Sequence, residues 1–159
     1  MEQNQTERLN VEEKIKRSFI LLFKNDEYLL HTEVNERALT HQFAVYLADE
    51  FLGYSVDCEY NRNGIDKKKL RSFRKEIYSD DTEGATVYPD IIVHHRGTKS
   101  NFIVIEAKKT SNKNQEDIRK LEAYKKELGY KYAVFVQFPV GKGLGGFTEE
   151  NISECIAFI

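Results

Sequence analysis

Residues 88–110, YPDIIVHHRGTKSNFIVIEAKKT, set the architecture of the chain. Two short apolar runs, Ile91-Ile92-Val93 and Phe102-Ile103-Val104-Ile105, flank RGTKSN, whose Gly97 and Asn101 suit a tight turn. The pattern predicts a hairpin with strands over about 88–95 and 101–107. Each run carries an acid at one end. Asp90 stands directly before the first, Glu106 directly after the second, and Lys108 two positions on. Hairpin strands run in opposite senses about 4.8 Å apart, so both acids fall at the same edge of the sheet. Alternation puts Phe102, Val104, Glu106 and Lys108 on one face, with Glu106 and Lys108 about 6.5–7 Å apart along the strand.

Downstream, Ile118, Leu121, Tyr124 and Leu128 share one side of a helix expected over about 115–128, and Gly129 supplies its stop. YKYAVFVQF, 130–138, reads as a strand covered on both faces. Strand, helix, strand is a crossover unit, so this strand should run parallel to 101–107. The glycines of GKGLGG end it, and the tail NISECIAFI is expected to return as a short helix or strand.

Upstream, YSVDCEYNR (54–62) alternates enough to be a strand. A first amphipathic helix spans about 8–24, with Leu9, Ile15, Phe19, Leu22 and Phe23 at near-helical spacing. A second spans about 33–52, with Leu39, Phe43, Tyr46, Leu47 and Phe51 as its stripe and Gly53 just past its end. Glu36 points within about 20° of Phe43 and Leu47 at roughly 100° per residue, so it lies toward the core. A first-turn carboxylate favoured by the helix dipole would explain it. So would an inward acid that requires a buried partner.

The 159 residues suffice for one domain with a core that needs no staples, and 40% hydrophobic with 31% charged residues is ordinary for a folded soluble protein. A net charge of -2 gives no general attraction to polyanions, so nucleic-acid binding would need local patches. Cys58 and Cys155 lack paired ligand spacing and read as free thiols in a reducing cytoplasm. The polar start MEQNQTERLN is unlike a secretory signal, and FILLF, the longest apolar run, is far too short for a membrane span.

Two carboxylates held close repel, and one takes up a proton unless a cation lies between them. Oxygen ligands favour Mg²⁺ or Mn²⁺. With an ammonium alongside, the set suits metal-assisted phosphodiester cleavage. YPDIIV followed by FIVIEAKK resembles the PD-(D/E)XK nuclease superfamily. That resemblance implies an α/β restriction-endonuclease-like αβββαβ core, a mixed sheet flanked by helices. The core covers about 33–138 of a single domain over 1–159, with an extra N-terminal helix. It implies Asp90 and Glu106 as Mg²⁺ (or Mn²⁺) ligands, the Ala107 carbonyl as a further ligand and Lys108 beside the nucleophile and phosphate. Glu36 fits the helix acid that completes such a site, and Gln137 the polar residue some members place nearby. The implied activity is hydrolysis of DNA by metal-activated water, leaving a 5′-phosphate and a 3′-hydroxyl. The fold often works as a dimer, for which the long first helix is a candidate contact.

Other features bear on partners. Lys67, Lys68, Lys69, Arg71, Arg74 and Lys75 form a basic segment that reads as a phosphate-contacting patch, with Arg62 just ahead; a solvated connector would look the same. Asp57 and Glu59 share a strand face and are candidates to line the cleft or ordinary hairpin surface. The adjacent His94 and His95 should face opposite sides of their strand. A catalytically silent nuclease-like module, binding nucleic acid or a protein partner in a larger complex, is the alternative.

Overall fold

The computed structural model describes residues 2–73, 85–109 and 115–159. Arg74 and Lys75 of the basic segment lie outside the described residues. Helix α1 (Glu2–Asn25) buries Val11, Ile15, Ser18, Phe19 and Leu22 along one side. Leu9 is instead exposed, and Val11, four residues ahead of Ile15, takes the inward place. The helix expected over 33–52 is α3 (Glu36–Glu50), which starts where the Asn35 side chain accepts the Ala38 N–H at 2.9 Å. A short α2 (Glu27–His31), not expected from the sequence, precedes it. Gly53, at φ +90°, reverses the chain beyond it, as its position predicted.

Strand β1 (Ser55–Cys58) follows, then two small ribbons built from β2 (Arg62–Asn63) with β3 (Asp66–Lys67) and β4 (Lys69–Leu70) with β5 (Ala85–Thr86). The chain continues through β6 (Ile91–His94), β7 (Asn101–Lys108), α4 (Gln115–Leu128), β8 (Tyr132–Gln137) and β9 (Ile156–Phe158). The main sheet has the order β1-β6-β7-β8-β9. Its first three strands are antiparallel to one another, β8 runs parallel to β7, and β9 runs antiparallel to β8. The fold is thus a mixed α/β one, and the succession α3, β1, β6, β7, α4, β8 matches the expected order. The tail returns as the strand β9, which covers the outer side of β8.

One face of the sheet packs Ile91, Val93, Ile103, Ile105, Val134 and Val136 against α1 and α3. Phe43 anchors this layer, with its ring 5.9 Å from Phe19 and 5.7 Å from Phe138. The other face packs Ile92, Val104, Ala133 and Phe135 against Leu121 and Tyr124 of α4. Phe102 departs from the expected alternation. The β6–β7 register shifts between Val93 and His94, and Phe102 turns to the α3 side, stacked on Tyr54 at 4.7 Å. Beyond the shift the alternation holds, and Glu106 sits on the α4 face with Val104. Among the described residues no helix is long and apolar enough to cross a membrane.

Candidate functional site

The register Ile91↔Ile105 sets Asp90 opposite Glu106 one step further along the same pair of strands. Asp90 Oδ2 accepts the backbone N–H of Ala107 at 2.8 Å, which fixes its carboxylate against β7. Glu106 is 3% exposed, and its Oε1 has no hydrogen-bond partner among the described residues. The Tyr124 hydroxyl donates to the Glu106 carboxylate from α4. Burial, reinforced by the charge of Asp90, pushes Glu106 up to about 8. Asp90 is also raised, by burial and by Glu36, although the Ala107 N–H and Lys108 oppose this. The two acids therefore conflict as the close pairing predicts.

Lys108, the last residue of β7, is partly exposed, with its Nζ 3.5 Å from Glu36 Oε1 and 3.9 Å from Asp117 Oδ2. Burial alone would lower it, but the fields of Asp117, Glu36, Asp90 and Glu106 together hold it above the usual lysine range. Glu36, in the first turn of α3, also accepts the Lys109 N–H at 3.2 Å. Lys109 Nζ in turn donates to the carbonyls of Glu33 at 3.1 Å and Val34 at 2.8 Å, tying the end of β7 to the start of α3. The inward Glu36 thus meets the ammonium of Lys108 and the backbone of Lys109.

The sequence reading missed Asp117, a 2% exposed acid in the first turn of α4 with Oδ2 unbonded among the described residues. Lys120 Nζ lies 3.9 Å from Asp117 Oδ1, and its charge reaches Asp90 and Glu106. Asp117, Leu121 and Tyr124 stand at i, i+4 and i+7. Extending the helix's apolar stripe one turn back would have found the acid.

The other predicted residues scatter. Gln137 pairs in register with Lys108 and borders a separate recess with Lys109, Pro139, Val140 and Cys155. Asp57 is a correction: it faces the α4 side away from the cleft, bound to His94 Nε2 at 2.8 Å and to Arg96 Nε at 2.8 Å. Glu59 does not share its face, because a left-handed φ of 49° breaks the alternation and turns Glu59 toward Arg37 at 3.0 Å. His94 is buried, while His95 stacks on Tyr54 at 4.6 Å, so the two histidines do face opposite ways.

Lys68 is a second correction. It is fully buried and donates to the carbonyls of Tyr60, at 3.2 Å, and Arg62, so it cannot meet a phosphate. Burial pushes it down to about 8. Lys67 and Arg71 are exposed and line an open groove with Lys69, Asp66, Lys126 and Glu127. Arg62 is exposed one ribbon strand away, paired in register with Lys67.

As arranged, no group of three or more His, Cys, Asp or Glu side chains among the described residues is gathered to hold a metal ion. Asp90 and Glu106 nevertheless fit a hard divalent cation, since the buried Glu106 Oε1 is unbonded among the described residues and the charge of Asp90 adds to the burial that raises Glu106. Glu36 would join them only by leaving Lys108 and the Lys109 N–H. No family model, curated protein or solved structure matches this chain.

Proposed function

We propose that the carboxylate edge is the active centre of a metal-dependent nuclease that hydrolyses the phosphodiester bonds of DNA, on a restriction-endonuclease-like core. One observation carries the reading: a buried carboxylate, Glu106, with an oxygen unbonded among the described residues, lies against the half-buried carboxylate of Asp90 on the adjacent strand end and beside a charged lysine. A structural ion pair would have satisfied that oxygen.

Asp90 and Glu106 would hold Mg²⁺ or Mn²⁺, which supplies charge neutralisation for the phosphate and acidity for the attacking water. Glu106 must lose its proton for this, and Tyr124 keeps its carboxylate oriented when it does. Lys108 donates to the reacting phosphate. Glu36 and Asp117 hold its ammonium on either side, so the charge stays directed at the sheet edge. Ala107 contributes the N–H that orients Asp90, a contact its proposed carbonyl role would leave intact. Lys67, Lys69 and Arg71 are the remaining candidates for contacts with the DNA backbone.

The silent-module alternative draws on one observation, that the acids are not already gathered as a ligand set. A cleavage assay on linear DNA with Mg²⁺ separates the two. Wild-type protein should cut, and Glu106→Gln should cut at least about 100-fold more slowly. Equal rates would refute the nuclease reading.

A further inference from the structure

Between α3 and β1, on the outer flank of Asp90, lies a recess of about 390 Å³ lined by Glu36, Arg37, Thr40, His41, Cys58 and Glu59 as well as Asp90. We propose that this recess takes the base of one unpaired nucleotide next to the bond being cut, with Arg37 gripping the phosphate on its outer side. The inference rests on the nuclease reading of the adjacent edge and narrows it to single-stranded substrate.

The size lies within the roughly 300–1,000 Å³ range of small-ligand sites, far too small for a duplex. Charge decides which part of a nucleotide enters. Lys108 is already paired with Glu36 and Arg37 with Glu59, so the interior offers a phosphate little positive charge and admits a neutral ring. The Thr40 hydroxyl, the His41 imidazole and the Cys58 thiol offer that ring hydrogen bonds and a polarisable wall. A paired base cannot reach them without leaving its stack, which favours a strand already single.

The rim is built for a phosphate. Arg37 Nε is held 3.0 Å from Glu59 Oε1, with the arginine side chain 84% exposed. Glu59 occupies the left-handed region at φ 49°, an uncommon conformation for this residue, while its N–H donates to the Asp90 carbonyl at 3.2 Å. The strained residue thus fixes Arg37 above the mouth and is itself fastened to the backbone of Asp90. A phosphate arriving from the strand displaces one surface ion pair, a weak competitor.

Cys58 serves as an internal reporter, and Cys155, which lies outside this recess, as its reference. The rate of N-ethylmaleimide alkylation at each thiol is measured at pH 8.5 with a five-residue oligothymidylate carrying uncleavable phosphorothioate linkages. At ten times its Kd the oligonucleotide should slow Cys58 about elevenfold and leave Cys155 unchanged. A closed single-stranded circle and a blunt duplex are run beside it. Protection by the linear strand alone assigns a strand end, and protection by both single strands assigns an interior nucleotide. No protection, or protection by the duplex alone, overturns the proposal.

Cys58→Phe fills the recess and should weaken oligothymidylate binding at least about tenfold by fluorescence anisotropy, as should Arg37→Gln. Unchanged affinity in both variants overturns it independently of thiol chemistry. The two readings fail separately. Wild-type protein that cuts DNA while Cys58 stays unprotected removes the recess and keeps the nuclease. Protection without cutting does the reverse.

Discussion

Two ends of one sheet face each carry an acid, and they treat it in opposite ways. At the β1–β6 end, Asp57 is fully engaged: Arg96 and the buried His94 both bind it, and the arginine holds its carboxyl below the usual range. At the β6–β7 end, Glu106 has an unbonded oxygen and a raised pKa beside a second raised acid. The lysines follow the same division. Lys68 is fully buried and spends its ammonium on backbone carbonyls, whereas Lys108 keeps an open side between two carboxylates. Charged groups that hold a scaffold are satisfied by it, and groups kept for a ligand are left in conflict.

Substitutions sharpen that contrast. The largest expected effect is on cleavage by Lys108→Ala, which should fall by at least about 100-fold while the protein remains folded, measured by initial rates and by calorimetry. Asp57→Asn should do the opposite. It leaves the His94 and Arg96 contacts without their charge, costs about 1–3 kcal/mol by urea unfolding and leaves cleavage within about twofold of wild type. A large loss of cleavage with unchanged stability would show that Asp57 belongs to the site after all.

Glu106 should show its conflict in the pH dependence of stability. Its unfolded carboxyl ionises near 4.5 and its folded one near 8, so the unfolded chain binds fewer protons between these values. Metal-free protein should therefore lose stability as pH rises from about 5 to 8. Glu106→Gln should remove that slope and melt higher at pH 8, by at least about 3 °C or ~1 kcal/mol. A wild-type midpoint that stays flat over this window would contradict the raised carboxyl.

The smallest effects separate Lys68 from its neighbours. Its folded pKa near 8 lies below the unfolded 10.5, so its burial costs most below pH 8 and the cost fades as pH rises to about 10.5. Lys68→Met should abolish that gain and leave the salt dependence of DNA binding untouched. Replacing Lys67, Lys69 and Arg71 with serine should reduce the slope of log K against log salt on single strands, by about 0.7 for each phosphate no longer neutralised. Equal slopes would show the groove to be a bystander.

Much of this was legible in the sequence, for reasons that mark where legibility ends. The hairpin, the parallel return and the helix over 115–128 follow from periodicity and turn residues, which act locally. Glu36 was visible because an acid on an apolar stripe breaks a pattern. Lys68 was not, since a basic run looks alike whether a member is buried or exposed, and only the packing of Tyr60 and Tyr130 around it decides. Phe102 was misplaced because a one-residue bulge leaves no mark in an alternating run. The recess beside Asp90 joins residues from α3 and β1 that no spacing connects.

Calorimetric titration of Mn²⁺ into wild-type protein at pH 7, repeated in buffers of different ionisation heat, tests the central claim most directly. Binding of an ion with proton release, abolished in Glu106→Gln, is the predicted result, because a raised carboxyl must ionise to accept the metal. No binding, or binding that is unchanged by the substitution, would contradict it.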